Sequence, residues 1–205
     1  MGPMSTTRES IADELATLSA RVVARLSALE LESLDPLECE IVRKRSIICA
    51  PADPAAISEA EGRIGFDLPQ EYACFLAVSN GMVLPGFEGH AIRLLPAEEI
   101  AKFRDLDSEA LESWRQDAMR EPIAPLDVMP KDVMVFRDDV PDFPLLATAV
   151  AVSEIVNSGG VFIVRFHEYG HGAYEVWELG PWSGCIRYRT FLTFLRDHME
   201  CYLTG

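Results

Sequence analysis

The sequence predicts an α+β fold: a single domain with an antiparallel β-sheet flanked by helices, preceded by an N-terminal helix. Two observations carry this. Apolar residues recur at steps of three and four through much of the first 120 residues, the period of a helix with one buried face. After Pro122, Pro125 and Pro130, β-branched and aromatic runs follow one another through Gly, Pro, Asn and Asp, with no crossover helix between them. Strands joined in that way pair antiparallel.

Taken in order, residues 7–33 read as one amphipathic helix with Ile11, Leu15, Leu18, Val22, Leu26 and Leu29 on its apolar stripe. Thr6 and Glu9 have the spacing of a capping box. "LDPLECEIVRKRSIICAPADP" then reads as irregular, broken by prolines. Its basic cluster, Arg43-Lys44-Arg45, is too short for a nucleic-acid patch and reads as a solvated turn. Asp53 followed by Pro54 is an N-cap with proline at the first helical position. Ile57 and Ile64 share a face of the helix so begun, and Gly65 stops it. Pro69 opens a second short helix with Tyr72, Phe75, Leu76 and Ser79 on one face, ended by Asn80-Gly81.

Short strands are expected at 82–84 and 90–95. "PAEEIAKFRDLDSEALESWRQDAM" has the composition of one helix, with Ile100, Phe103, Leu111 and Trp114 as its apolar set. "DVMVFRDD", "PLLATAVAVSEIV", "GGVFIVRFHE" and "GAYEVWELG" read as strands. A last helix starts near Thr190 and buries Phe191, Phe194, Leu195 and Tyr202. These elements divide the 205 residues into a helical extension over 1–50 and a larger domain over 51–205.

Bulk properties narrow the function classes. No run of eighteen apolar residues is present, so no segment is expected to span a membrane. The opening stretch lacks the charged and apolar regions of a signal peptide. The five cysteines, Cys39, Cys49, Cys74, Cys185 and Cys201, are scattered, odd in number and never spaced C-x-x-C. They read as reduced thiols of a cytoplasmic protein rather than a disulfide framework or a zinc ribbon. Against 18 basic side chains stand 33 acidic ones, a net charge of −15. Nucleic-acid binding needs Lys and Arg to neutralise phosphates, so this balance argues against it. It suits a basic protein partner, or solubility alone.

One motif points elsewhere. His167-Glu168-Tyr169-Gly170-His171 matches H-E-x-x-H, the zinc-binding helix of a large class of metalloproteases. On a helix the two imidazoles stack one turn apart and can share a zinc. Here the preceding residues, Val161 to Phe166, are strand formers, and Gly170 and Gly172 flank the second histidine. Each glycine costs a helix about 1 kcal/mol. A hairpin connection over 167–172 fits better. Fully extended, the two imidazoles would sit about 13 Å apart at 3.3 Å per residue. No third ligand motif is visible. A zinc metallohydrolase using His167, Glu168 and His171 is therefore the rival reading, and the expectation is no metal, no cofactor and no catalytic residue.

Other catalytic sets fail as well. Gly-x-Ser-x-Gly and the P-loop are absent. Gly86-Phe87-Glu88-Gly89 is a lone glycine-rich turn. Cys74 reads as a small residue on a buried helix face. His198 and Cys201, one helical turn apart, read as parts of an apolar helix end.

The ordered set Ile57, Glu61, Ile64-Gly65, Leu68-Pro69, Tyr72, Phe75-Leu76 and Asn80-Gly81 resembles the opening signature of the SMI1/KNR4 family, of the SUKH superfamily. "IRLLPAEEI" is similar to that family's strand leading to a helix. "LLATAVAVSEIVNSGGVFIVRF" and "YEVWELG" are similar to its central strands, and "TFLTFL" to its terminal helix. The resemblance covers residues 55–200; the first helix and the proline-rich stretch 122–144 depart from the pattern. It implies a non-enzymatic binding protein. Bacterial members are commonly immunity proteins that neutralise a toxin encoded beside them, and fungal members are regulatory scaffolds.

A partner surface is expected on loops, which carry binding function more often than core elements do. Asp138, Asp139 and Asp142 crowd into the proline-bounded "FRDDVPDFP", and Glu168 lies in the expected hairpin turn. Together they form a candidate acidic rim for a basic partner, with solvated loop charges as the alternative. Phe143, between prolines, and Trp182, in "LGPWSG", are candidate aromatic anchors. Ordinary core packing is the alternative for each.

Overall fold

The first helix begins one residue later than the capping-box spacing of Thr6 and Glu9 indicates. Thr7 is its N-cap: Thr7 Oγ1 accepts from the Ser10 backbone, and Ser10 Oγ accepts from the Thr7 N–H. The helix, α1, spans Arg8–Leu26. Ile11, Leu15, Leu18, Val22 and Leu26 are buried as expected, whereas Leu29 lies beyond the helix end and is exposed. A separate single turn follows at Leu31–Ser33. The computed structural model describes residues 7–86, 91–117, 135–138, 143–157, 159–166, 174–180 and 184–204.

The stretch expected to be irregular contains a helix, α2, at Pro36–Lys44. Asp35 caps it and Pro36 takes the first helical position. Glu38 returns a bond to the Asp35 N–H, a full capping box. The prolines that read as breakers are start signals here. The first motif helix is as expected, α3 at Pro54–Ile64, capped by Asp53; the second, α4, spans Gln70–Leu76 and ends with Ala77 in the right-handed conformation, before the expected stop at Asn80-Gly81. Strands β1 (Met82–Leu84) and β2 (Ile92–Leu94) pair antiparallel.

In the segment 96–119, which composition assigns to one helix, the described residues form three elements. Ala101–Lys102 is a strand, β3, paired with a later strand, and α5 follows at Phe103–Leu106. Asp107 leaves the helical conformation, and its Oδ1 accepts from the Ala110 N–H at 2.8 Å. It thereby starts α6, Ser108–Asp117. An N-cap residue inside a helical composition splits it in two.

Next come β4 (Val135–Asp138), α7 (Phe143–Leu146), β5 (Val150–Ala151), β6 (Gly160–Arg165), β7 (Tyr174–Gly180), β8 (Gly184–Tyr188) and α8 (Phe191–Thr204). The run "PLLATAVAVSEIV" is therefore a helical turn and then a two-residue strand, with Pro144 in the first turn where its missing N–H costs nothing. β8 has no counterpart among the expected strands. Its Arg187 is buried, which defeats the expectation that charge faces water. The six-stranded sheet has the order β3-β5-β6-β7-β8-β4, and every pairing in it is antiparallel. The α+β class stands.

Two compact units make up the chain: Met1–Glu99 with Arg196–Gly205, and Ile100–Leu195. In the first, α1 packs on α2 and α4, and the core holds Ile11, Leu15, Ile41, Ile64, Phe75 and Leu84. Arg196 pairs with Glu14 and Arg21 with Glu200, tying α1 to the later part of α8. In the second unit, one face of the sheet presents Phe162, Val164, Trp177, Leu179 and Cys185 to Phe103, Leu111, Trp114 and Leu146 of α5, α6 and α7. On the opposite face Tyr188 meets Phe194 of α8 edge-on, with ring centroids 5.4 Å apart.

Candidate functional site

The signature residues all lie in the first unit, and the geometry accounts for most of them; Ile57 is only half-buried. Ile64 is buried, and Gly65 ends α3 at φ 82°, a left-handed conformation that costs glycine nothing. Glu61 Oε1 accepts from the Leu68 N–H at 3.0 Å, folding the turn back onto α3. Leu68 is buried and Pro69 opens α4. Tyr72 and Phe75 stack at 5.5 Å, and burial pushes the Tyr72 phenol far above its ordinary range. Ser79 Oγ accepts from the Cys49 N–H at 2.9 Å and donates to the Gly81 carbonyl at 2.5 Å. Asn80 Oδ1 accepts from the Ala97 N–H at 2.7 Å, while its Nδ2 donates to Glu98. That bond is the main cause holding the Glu98 carboxyl below its usual value. Gly81 sits at φ 81°, and a Cβ there would lie 2.7 Å from the Leu94 carbonyl oxygen. Asn80 does not share this left-handed conformation. Glu61, Ser79 and the Asn80 amide oxygen are engaged in holding backbone.

A second constellation, in the second unit, was not anticipated from the residues. Glu175 and Trp177 alternate onto one face of β7, and Arg187 stands opposite Trp177 on β8. Arg187 Nε and a terminal nitrogen donate to the two Glu175 oxygens at 2.9 and 3.0 Å. Trp177 Nε1 donates to Glu175 at 2.9 Å, and the guanidinium lies 5.6 Å from the Trp177 ring centroid. The side chains of the pair are 1% and 3% exposed. The fork-shaped pairing satisfies both charges, so the arrangement fixes structure instead of transferring protons. Its only trace in the sequence is the spacing of Glu175, Trp177 and Arg187 around one turn signal.

The H-E-x-x-H run falls outside the described residues. Its flanks are informative: β6 and β7 are antiparallel neighbours, with Arg165 opposite Tyr174, and His167 to His171 belong to their connection. Among the described residues no group of three or more His, Cys, Asp or Glu could hold a metal ion. His198 is buried with Nε2 2.9 Å from the Pro85 carbonyl oxygen, and Cys201 is exposed. Cys74 is half-buried rather than fully enclosed; Cys185 is the buried thiol.

The candidate partner residues separate along the sheet. Asp138 closes β4 opposite Cys185, at the end of the sheet where Gly180 pairs with Gly184. Trp182 belongs to the connection between those two glycines. Asp139 and Asp142 belong to the connection from β4 to α7, which Phe143 begins. Those three loop residues lie outside the described residues, as do the side chains of Asp138 and Phe143. Glu168, also outside them, belongs to the β6–β7 connection at the other end of β7. The seven residues of β7 separate the two ends by about 20 Å. The β5–β6 connection reaches the same end as Asp138, and there Val156 is 59% exposed and Glu154 also faces outward.

No helix among the described residues is long and apolar enough to cross a membrane. A comparison with curated proteins finds none that matches. A family model, however, matches residues 51–179, a span that begins just before α3 and runs to Leu179 in β7. That span takes in the whole signature from Ile57 to Gly81 and strands β1 to β6, and on it the chain belongs to the SMI1 / KNR4 family (SUKH-1).

Proposed function

We propose that this protein is a non-enzymatic binding protein of the immunity type, which neutralises a cognate bacterial toxin domain by forming a tight complex with it. The observation that carries the reading is membership of the SMI1/KNR4 family across residues 51–179. Two features support it. The signature residues are spent on packing and turns, which leaves recognition to surface positions. The net charge of −15 matches a partner with a basic cleft, and a nuclease needs such a cleft to hold phosphates. Inhibition then consists of covering that cleft, and no bond is made or broken.

In this reading the partner surface lies at the end of the six-stranded sheet marked by Asp138, with Asp139, Asp142, Phe143 and Trp182 from the adjoining connections. Glu168 belongs to a separate patch. Residues 1–50 are an addition to the family domain, which runs from 51 onward. The protein acts in the cytoplasm, where its toxin would act. Co-expression with the toxin domain encoded beside its gene tests the whole reading. Survival of the cells, and a complex that persists through gel filtration, are the expected results. Death at the unprotected rate with no complex would leave the regulatory-scaffold reading in its place.

A further inference from the structure

Among the described residues three large apolar side chains stand exposed, Leu29, Leu106 and Val156, and Val156 is the most exposed of them at 59%. A single exposed apolar residue is ordinary on a protein surface. What sets Val156 apart is the frame that holds it. Its N–H donates to the Gly159 carbonyl, and its own carbonyl accepts from the Gly159 N–H, both at 2.9 Å. After it, Asn157 takes a left-handed conformation, φ 51°, which asparagine adopts more readily than most residues. Deeper in the hairpin, the Val161 N–H donates to Ser153 Oγ at 2.7 Å, and that hydroxyl donates to the Glu154 carbonyl at 2.8 Å. Ser153 is fully buried, and Ile155 packs against the apolar core of the second unit. On the returning side, a Cβ at Gly159 would lie 2.5 Å from the Leu179 carbonyl oxygen, so this backbone sits against the end of β7. The turn is fixed from both sides and still presents a valine to water.

We propose that the β5–β6 connection is the apolar anchor of the partner surface: Val156 enters an apolar pocket beside the positive cleft of a basic partner domain, with Glu154 on the rim of that contact. Glu154 is exposed and is the only charged residue from Thr148 to Val164. The segment offers no basic side chain, and the whole chain carries −15. A basic surface is therefore attracted to it and an acidic one repelled. The proposal rests on the binding reading above, and adds to it the contact that governs how long the complex lasts.

Two physical arguments favour this residue as an anchor. A β-branched side chain is stiff at χ1, and its backbone is already held, so burying it on a partner loses little conformational freedom. Preorganised contacts of this kind slow dissociation, whereas rim charges act on association. Its place in the sheet fits as well. One row of paired residues crosses from Gly160 through Leu179 and Cys185 to Asp138. That row spans three strand spacings, about 14 Å. A standard interface covers about 800 Å² on each partner, on the order of 30 Å across. A single partner domain therefore covers the hairpin and the Asp138 edge together.

Binding kinetics of the full chain with the toxin domain encoded beside its gene test this. Val156→Thr keeps the branching at Cβ and replaces one methyl with a hydroxyl, so the turn is retained while the pocket is offered a polar group. It should dissociate about tenfold faster and associate within about twofold of the native rate. Val156→Asp should dissociate faster still. Thermal unfolding of the free Val156→Thr protein should match that of the native protein, because the side chain is exposed. Leu29→Thr, which removes an exposed apolar side chain in the first unit, should leave both rates unchanged. A native dissociation rate in Val156→Thr, or an equal acceleration in Leu29→Thr, overturns the anchor while the binding reading stands. A native protein that forms no complex with the domain overturns both.

Discussion

Arg187 reaches from β8 to Glu175 on β7 and grips its carboxylate through two parallel hydrogen bonds, deep within an apolar face of the sheet. A buried pair adds little over an apolar pair of the same shape, but removing one partner strands the other charge. Glu175→Gln should therefore lower stability by about 3–5 kcal/mol. The double variant Glu175→Leu, Arg187→Met should recover most of that loss. Denaturant titration of the three proteins checks both outcomes.

Two glycines should respond in opposite directions to the same change. Gly81→Ala places a Cβ against the Leu94 carbonyl at φ 81° and should destabilise by at least about 1–2 kcal/mol. Gly62 lies within α3 with nothing near its missing Cβ. Gly62→Ala should stabilise by about 0.5–1 kcal/mol. Thermal unfolding of each variant beside the native protein distinguishes the two.

Glu38 also shapes the pH dependence of stability. Its folded-state value is raised, chiefly by burial, so its favourable contribution is full in acid and lost as pH rises through that value. Glu38→Gln lacks this dependence. The stability of the variant relative to the native protein should therefore improve from pH 5 to pH 8. Chemical denaturation at several pH values measures the difference; a variant that loses stability relative to the native protein over this range would contradict the sign.

The protein purified without chelator or affinity tag should hold no stoichiometric zinc, and it should cleave no peptide. Elemental analysis decides this. One zinc per chain, lost in His167→Ala, would restore the metallohydrolase reading of His167, Glu168 and His171.

At the proposed partner surface, Asp138→Asn, Asp139→Asn and Asp142→Asn combined should slow association with a basic toxin domain and flatten its salt dependence, with a smaller effect on dissociation. Stopped-flow mixing over a salt series reads both. Glu168→Asn, at the other end of β7, should leave the rates unchanged.

The fold class, the motif helices and the central β6–β7 pair were legible because local signals and burial agree there. Asp53-Pro54 and Gly65 punctuate α3 as their chemistry dictates, and the apolar stripe of α1 keeps its period up to Leu26. The errors fall where one residue type serves two purposes. Pro36 starts a helix although it reads as a breaker, and Asp107 divides a helical composition by capping its second half. Arg187 turned inward because a cross-strand partner, invisible in one dimension, neutralises it. The bond from the Ala91 N–H to Asp35 was hidden for the same reason: its donor is a backbone group 56 residues away.

The assignment of α8 to both units has a consequence for synthesis. Glu14 and Arg21 of α1 are made early, yet their partners Arg196 and Glu200 follow the whole of the second unit in the chain. At about 5–20 residues per second, the ribosome takes on the order of 5–20 s to make the intervening unit. Throughout that interval the first unit lacks the segment that closes it, and its early helices must wait as an unfinished surface. The second unit has no such debt, because its strands and the first turn of α8 are contiguous. Completion therefore runs against the order of translation.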